Sequence, residues 1–480
     1  MSDHDMLFID GGFTAPTSTS VIEVLSASTG ERIGSAPEAC AADVGTAVAA
    51  ARRAFDDPLG WAAWTPHARA DALDRLATEL ELRSGDLAKT VAQQNGMPIS
   101  IAGQLEGALP VGIYRYFAAL VRATAEEEER AGVLGGRVLV RRLPVGVVGA
   151  IVPWNYPNLV TVCKLAPALA AGCTVVLKPS PETVLDSYLF AEAVQRAGIP
   201  AGVVNIVPGG AEAGAALVEH PDVDKITFTG STVVGRQIAA TCGHLLRPVT
   251  LELGGKSAAI VLDDADLAAN MENFFQATLL NNGQTCVLNS RILIPRSRYD
   301  EIVGLLGAFV SGVQVGDALD PATQVGPVVS ERHRDRVEGY IRKGIGEGAR
   351  LVVGGGRPKG LDSGWFVEPT LFADVDPNST IAQEEIFGPV LAAIPYDTVE
   401  DAIAIANNSD YGLGGTVWTA DEQRGLEISR RVRTGTVGIN YYLPDPAAPF
   451  GGIKNSGLGR ELGPEGLASF QNQQSVYLAP

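Results

Sequence analysis

The chain has 480 residues, a formal net charge of −18 and a hydrophobic content of 46%. That length is enough for two or three domains of roughly 150 residues each, and the composition excludes a mainly disordered protein. The acidity works against nucleic acid and anionic membrane surfaces as partners, and an anionic cofactor would need a local positive pocket.

Five cysteines, Cys40, Cys163, Cys173, Cys242 and Cys286, form no CxxC pair, and no histidine cluster has metal-ligand spacing. The thiols are read as reduced and no metal site is predicted. The N-terminal MSDHDMLFIDGGF starts acidic and lacks an apolar core of signal-peptide length, and no apolar run approaches the length of a membrane span. A soluble cytoplasmic protein is expected.

Residues 7–34 hold short β-type runs broken by Gly, Pro and Ser. DVGTAVAAARRAFDD then shows helical spacing with Asp43 as its cap, and WAAWTPHARADALDRLATELELRSGDLAKTVAQQNG continues as helical scaffold. AEEEER (125–130) reads as a solvated helix face without function. From Arg137 the period changes: RVLVRRLP alternates as a strand, and VGVVGAIVP is a continuous apolar run of the kind found in a buried strand.

A regular alternation follows: helix over 159–171, strand TVVLKPS, helix over 183–197, strand VVNIVPG, helix over 212–219, strand KITFTG, helix over 232–241, strand VTLELGG. This predicts a parallel sheet with helices on both faces and ligands beyond the carboxyl ends of its strands. Beyond Gly255 a second α/β pattern, with strands at AAIVL, SRILIP, RLVVGG, AAIPY, GGTVW and TVGIN, runs to about Arg460 and contains Cys286. The final ASFQNQQSVYLAP alternates as a late strand that, like RVLVRRL, suits pairing across a subunit boundary.

The residues with chemistry stand where that winding puts them. NNGQTCVLNS sets Cys286 among small and amide residues, where a thiolate has access and donors. A lone cysteine is ordinarily a small buried hydrophobe, so this segment needs support from elsewhere. LELGG places Glu252 at a strand end before two glycines, as a general base or as an ion-pair partner of Lys256 or an arginine. PWNYP brackets Asn155 with two prolines and two aromatics, as an oxyanion donor or a structural turn. FTGSTVVG opens a helix with Gly230 and Ser231 in an anion-binding context, although it is not GxGxxG. Lys178 ends a strand near the crevice, where it can hold ribose hydroxyls or stand solvated. EEIFGPV and APFGGIKNSGLGRE are glycine-rich turns carrying acids and bases.

PWNYP, LELGGKS, GQTC, EEIFGPV and PFGGIKNSG, in that order and spacing, make the chain resemble the aldehyde dehydrogenase superfamily from about residue 7 onward. The resemblance implies an α/β, aldehyde dehydrogenase-like fold in three parts. These are a Rossmann-type parallel-sheet NAD(P)-binding domain (1–122 and 145–254), an α/β catalytic domain (255–466) and a small β oligomerisation ribbon (123–144 and 467–480), giving homodimers or homotetramers. It implies oxidation of an aldehyde substrate to the acid by the hydrolytic route. Cys286 matches the nucleophile, Asn155 the oxyanion donor and Glu252 the base that activates water. Cofactor contacts carried over are Ile151, Val152, Pro153, Trp154, Lys178, Ser180, Glu182 and Gly209, then Gly230, Ser231, Thr232, Val233, Val234 and Gly235 by the pyrophosphate. Leu253, Glu385 and Phe387 complete the set, the last two at the nicotinamide ribose. Tyr156, Val160, Cys163, Val287, Tyr441, Tyr442, Leu443 and Phe450 match the substrate lining. They are mostly apolar with no cation for an acidic tail, which points to a medium-sized aliphatic, terpenoid or aromatic aldehyde.

The sequence departs from the family at KPSP, where Pro181 replaces the frequent glutamate and the acid moves to Glu182. NAD is expected and NADP stays open, since no arginine adjoins the motif to meet a 2′-phosphate. A coenzyme A-acylating enzyme and a non-catalytic cofactor-binding protein are the alternatives. Glu252 argues against the first, and the joint presence of Cys286, Asn155 and Glu252 argues against the second.

Overall fold

A computed structural model describes residues 2–479; Met1 and Pro480, which fall within the expected domain ranges, lie outside the described residues. The βα winding forms an eight-stranded sheet whose strands run, in spatial order, Gly457–Leu458, Val249–Glu252, Lys225–Thr229, Val147–Ile151, Thr174–Lys178, Val204–Ile206, Leu7–Ile9 and Gly12–Thr14. The five strands from Val249–Glu252 to Val204–Ile206 are parallel. They are continuous apolar runs because helices cover both faces. Gly149 is one cause of the tight cover, since a Cβ there would stand 2.7 Å from Ile226 Cδ1 and 3.1 Å from Leu217 Cγ.

The chain passes from Val147–Ile151 outward to Thr174–Lys178 and Val204–Ile206, then returns to lay Lys225–Thr229 on the other side of Val147–Ile151. That reversal opens a crevice at the strand ends. The ends stand level there: Ile151 lies opposite Lys178 on one side and Phe228 on the other, and Thr229 lies opposite Glu252. Two helices start at the crevice. Pro157–Ala171 has proline in its first turn, is buried almost all round and stops at the left-handed Gly172 (φ 95°). Thr232–His244 is capped by Ser231, whose hydroxyl accepts from the Val234 amide.

A seven-stranded sheet follows, ordered Arg350–Val353, Thr370–Ala373, Val390–Tyr396, Arg291–Pro295, Ala258–Val261, Gly415–Trp418 and Gly438–Ile439. Thr370–Ala373 is a strand the sequence reading did not include. Its four residues are all buried, so they show no alternation to mark them.

The third sheet is a ribbon of Glu127–Ala131, Arg137–Pro144 and Gln471–Leu478, all antiparallel. AEEEER is therefore not a helix face. Cross-strand pairing sets Glu127 opposite Arg141, and every residue of Glu127–Ala131 is exposed, so opposite charges across the ladder override local helix preference. The C-terminal strand pairs with Arg137–Pro144 of its own chain along its whole length. Asp43 also differs from expectation. The helix Ala41–Asp56 has Cys40 as its N-cap, and Asp43, two residues into it, closes a capping box by accepting from the Cys40 amide at 3.0 Å.

Among the described residues no helix is long and apolar enough to cross a membrane, and no group of histidine, cysteine and acid side chains has metal-holding geometry.

Candidate active site

Cys286 reaches its place through three consecutive left-handed residues, Asn281 (φ 51°), Asn282 (φ 60°) and Gly283 (φ 75°). Asparagine tolerates that region better than other side chains, and its amide can be held. Asn282 Nδ2 donates to the carbonyls of Gly96 and Pro327, both at 2.8 Å, and Asn281 Nδ2 donates to the Asn155 carbonyl at 2.9 Å.

Glycines interlock the motifs. A Cβ on Gly283 would stand 2.2 Å from the Gly388 carbonyl carbon, and one on Gly255 would stand 2.3 Å from the Cys286 carbonyl oxygen. A Cβ on Gly254 would stand 2.5 Å from Glu385 Oε2, and one on Gly451 2.6 Å from Glu252 Oε1. GQTC, LELGG, EEIFGPV and PFGGIKNSG thus converge at distances only glycine permits. PWNYP joins them by two hydrogen bonds: Asn155 Nδ2 donates to the Gln284 carbonyl at 2.9 Å, and the Tyr156 hydroxyl lies 2.7 Å from Thr285 Oγ1. An amide carries two N–H donors, so Asn155 keeps one for a ligand.

Cys286 lines two spaces. On one side is an apolar cavity of about 130 Å³, shared with Tyr156, Val160, Cys163, Val287, Tyr442, Leu443 and Phe450. Leu105, Leu109 and Ile113 complete its wall from a helical segment that carried no functional signal. Tyr441, expected in this lining, is 48% exposed and stands outside it. On the other side Cys286 borders a small pocket of about 20 Å³ with Gly283, Glu385 and Phe387. Burial, then the Glu385 and Glu252 carboxylates, hold the Cys286 thiol well above its ordinary range.

Glu252 faces the apolar cavity and is 2% exposed, and neither carboxylate oxygen has a hydrogen-bond partner. The ion pair with Lys256 does not form, since Glu385 and Glu384 are the acids that act on that ammonium. Burial first, then the Glu461 carboxylate, raise Glu252 well above the usual carboxylate range. Glu461 is itself paired with the fully buried Lys164, whose ammonium also donates to Thr227 Oγ1 at 3.3 Å. Thr229 Oγ1, lining the same cavity, is likewise buried without a partner. Such atoms carry a desolvation cost of about 1–3 kcal/mol each until a ligand or water meets them.

The crevice at the strand ends gathers the remaining predicted residues. Ile151 and Val152 are buried, the Val152 amide donating to the Lys178 carbonyl at 3.2 Å, and Pro153 and Trp154 follow half-buried. Lys178 is buried and donates to the carbonyls of Pro179 (2.8 Å) and Gly209 (2.7 Å), with its pKa lowered to about 8 by burial against the pull of Glu182 and Glu38. Ser180 Oγ donates to Glu182 Oε2 at 2.6 Å. Gly230 donates its amide to the Glu252 carbonyl at 3.0 Å, and Thr232 Oγ1 bonds the Asn455 carbonyl at 3.2 Å. Gly235 packs where a Cβ would stand 2.4 Å from Leu253 Cδ2.

Val233 and Val234 are 67% and 41% exposed in the first turn of their helix, beside its outward-pointing amides. Apolar surface next to free N–H donors suits a ligand that joins an anion to a flat ring.

A cavity of about 320 Å³ continues the crevice, walled by Trp154, Glu182, Ser330, Arg332, His333 and Arg336. Trp154, His333 and Phe387 meet edge to face, with centroids 5.3–6.1 Å apart. His333 Nε2 lies 2.6 Å from the carbonyl of Phe387, which is itself left-handed (φ 63°). Burial, then Arg336 and Arg332, push His333 down to about 4, so its ring is neutral. The arginine absent from the KPSP neighbourhood in sequence is present in space, with Arg332 Nη2 3.9 Å from Glu182 Oε1. His333, Arg332, Arg336 and Lys164 were missed because each looks like an ordinary helix residue. Glu461 had a signal, as the acid closing a glycine-rich turn.

The family model described as "Aldehyde dehydrogenase family" matches residues 13–476. The chain is 56% identical over 476 residues to a geranial dehydrogenase of Castellaniella defragrans, covering 99% of each. It superposes on a Mycobacterium tuberculosis aldehyde dehydrogenase complexed with NAD+ with a TM-score of 0.97 and 53% identity, over 100% of this chain and 99% of that one. A Pseudomonas syringae aldehyde dehydrogenase mutant complexed with NAD+ and octanal is 39% identical with a TM-score of 0.95, over 98% of this chain and 96% of that one.

Proposed function

The chain belongs to the aldehyde dehydrogenase family, and from that premise we propose that it oxidises a medium-sized apolar aldehyde to the carboxylic acid with NAD+ through an adduct on Cys286. The observation that carries this reading is the position of Cys286 between an apolar cavity, which also holds the unpartnered Glu252, and a small pocket walled by Glu385 and Phe387. The crevice fits a dinucleotide by its lining: the amides of a capped helix start beside exposed valines, and the Glu182 carboxylate, an acceptor oriented by the Ser180 hydroxyl. The NAD+ in the Mycobacterium tuberculosis structure supports that choice, and the geranial dehydrogenase supports a terpenoid aldehyde.

Glu252 takes the Cys286 proton, and the thiolate attacks the aldehyde carbon. The free N–H of Asn155 and the Cys286 amide meet the oxygen as it becomes negative, an arrangement worth about 3–4 kcal/mol per donor. Bound NAD+ supplies the acceptor for the hydride that leaves the tetrahedral carbon. Glu252, having passed the Cys286 proton to solvent, then removes a proton from water attacking the resulting thioester; the acid is freed and Glu252 returns that proton to the expelled Cys286 thiolate. The apolar wall excludes bulk water and offers no cation to an acidic tail. The coenzyme A-acylating alternative has no use for a buried, unpartnered Glu252.

Residues 1–122 and 145–254 are assigned to cofactor binding, 255–466 to catalysis and 123–144 with 467–480 to a ribbon that assembles a homodimer or homotetramer, in the cytoplasm. The test follows NAD+ reduction by absorbance without coenzyme A. Geranial-like, aliphatic and aromatic aldehydes are expected to turn over faster than succinic semialdehyde; the reverse order would sink the substrate assignment. Dependence on coenzyme A would sink the hydrolytic one.

A further inference from the structure

Resting on the oxyanion role given to Asn155 above, we propose that Asn95, the last residue of the scaffold helix Ser84–Asn95, is a positioning residue: it fixes the backbone on both sides of Asn155 and so aims that residue's free N–H at the substrate oxygen. PWNYP cannot hold itself. Its two prolines have no N–H to give, and among the described residues no backbone amide donates to the Trp154 or Asn155 carbonyl. Side chains do so instead. Asn95 Nδ2 donates to the Trp154 carbonyl at 3.2 Å and to the Asn155 carbonyl at 3.1 Å, and Asn281 Nδ2 donates to the Asn155 carbonyl at 2.9 Å. A peptide unit is planar, so pinning the carbonyls before and after an α-carbon fixes both soft dihedrals of that residue and with them the direction of its side chain.

Asn95 is fully buried and has no donor left for a ligand, since both N–H groups go to the two carbonyls; its Oδ1 accepts from the Met97 amide at 3.0 Å. The next residue ties the same helix end to the nucleophile loop. Gly96, left-handed at φ 81°, accepts at its carbonyl from Asn282 Nδ2 at 2.8 Å, and a Cβ on it would stand 2.2 Å from the Pro327 carbonyl oxygen. One helix end thus carries the donor loop on Asn95 and the loop that leads to Cys286 on Gly96. Their spacing matters, because a displacement of about 1 Å between reacting groups costs roughly 10²-fold in rate. Gln94 is just as buried but turns elsewhere: Nε2 donates to Asp186 Oδ1 at 3.0 Å and Oε1 accepts from the Leu185 amide at 2.8 Å, so it is the internal control.

The test is a double-mutant cycle on the full chain, reading kcat/KM for octanal at saturating NAD+ alongside direct NAD+ binding and denaturant unfolding. Asn95→Ala is expected to lower kcat/KM by about tenfold or more while NAD+ affinity stays within about twofold. Asn95→Asp, which keeps the shape and the acceptor for Met97 but offers neither carbonyl an N–H, is expected to do the same. In an Asn155→Ala background either change is expected to cost no further activity, because the donor it aims is gone. Gln94→Ala is expected to lower the unfolding midpoint and leave kcat/KM unmoved. Equal losses in both backgrounds, no loss in either, a matching loss from Gln94→Ala, or failure of both Asn95 variants to fold would each overturn the assignment, and the oxyanion role of Asn155 would stand. If Asn155→Ala alone keeps wild-type kcat/KM, the oxyanion reading falls and this one with it.

Discussion

The junction around Cys286 and the three-stranded ribbon are opposite solutions to placing polar residues. At the junction Glu252, Thr229 and Gln284 keep buried polar atoms without partners. On the ribbon nearly every charge is answered: Glu127 pairs with Arg141, Glu129 with Arg137, and Glu128 with Arg130 and Arg142. In sequence the AEEEER run is the more conspicuous of the two. The comparison teaches that conspicuous charge satisfied by its neighbours does little beyond local structure. A single acid left unsatisfied in an apolar wall marks where binding energy from outside is to be received. Perturbing the junction should therefore change chemistry by orders of magnitude, and perturbing the ribbon should change it hardly at all.

The largest effect is expected from Cys286→Ala. Aldehyde-dependent NADH formation should fall by at least ~10⁴-fold, whereas NAD+ binding should survive, because the proposed mechanism gives the thiol the bond-forming role while the capped helix start and the loop of Ser180 and Glu182 are untouched. Residual turnover near wild type would remove the covalent route.

Next is Glu252→Gln, expected to slow release of the acid by roughly 10²–10⁴-fold, more than it slows attack by Cys286, and so to expose a burst of NADH in stopped-flow. The same residue sets the pH dependence. Glu252 is raised above the carboxylate range and the Cys286 thiol above the thiol range, so both are protonated at low pH and both must lose a proton to act. Wild-type kcat should rise with pH along a limb centred well above ~4.3, the unperturbed glutamate value. A rate already flat from pH 5 upward would contradict the burial argument.

Much of this junction was legible in the sequence because its parts are local. Glycines needed for close approach, an asparagine between prolines and an acid at a strand end are each visible in five or six residues. The regular βα winding was legible for the same reason, as buried parallel strands read as unbroken apolar runs. What could not be read depends on distance in the chain. His333, Arg332 and Arg336 lie on an ordinary charged helix and gain meaning only when it packs over the KPSP loop. Lys164 and Glu461 pair across nearly 300 positions, as their separation of 297 records. The strand in AEEEER needed a partner, RVLVRRL, that local propensity does not weigh.

A third junction variant, Asn155→Ala, should lower kcat by about 10²–10³-fold with little change in NAD+ affinity, the signature of one lost oxyanion donor. Smaller in rate but plain in stability is Gly283→Ala. Its Cβ would meet the Gly388 backbone at 2.2 Å and its φ is 75°, so denaturant unfolding should show a loss of about 1–3 kcal/mol. An unchanged midpoint would mean the loops separate more easily than their packing indicates.

The smallest effect belongs to the ribbon. Glu127 bonds Arg141 at 2.5 Å with both side chains more than 40% exposed, 41% and 43%. Water and salt screen such a pair, and holding two long side chains in one geometry costs entropy, so its net worth is about 0–1 kcal/mol. Glu127→Gln should leave kcat unchanged and shift the unfolding free energy by no more than about 0.5 kcal/mol. Sedimentation of the same variant sharpens the contrast. If the ribbon's free edges pair between subunits, its backbone ladder carries the contact and the assembly state should survive loss of one side-chain charge. A variant that dissociates would show that the charge run, and not the ladder, holds the subunits, and the ribbon would then be as functional in its charges as the junction is.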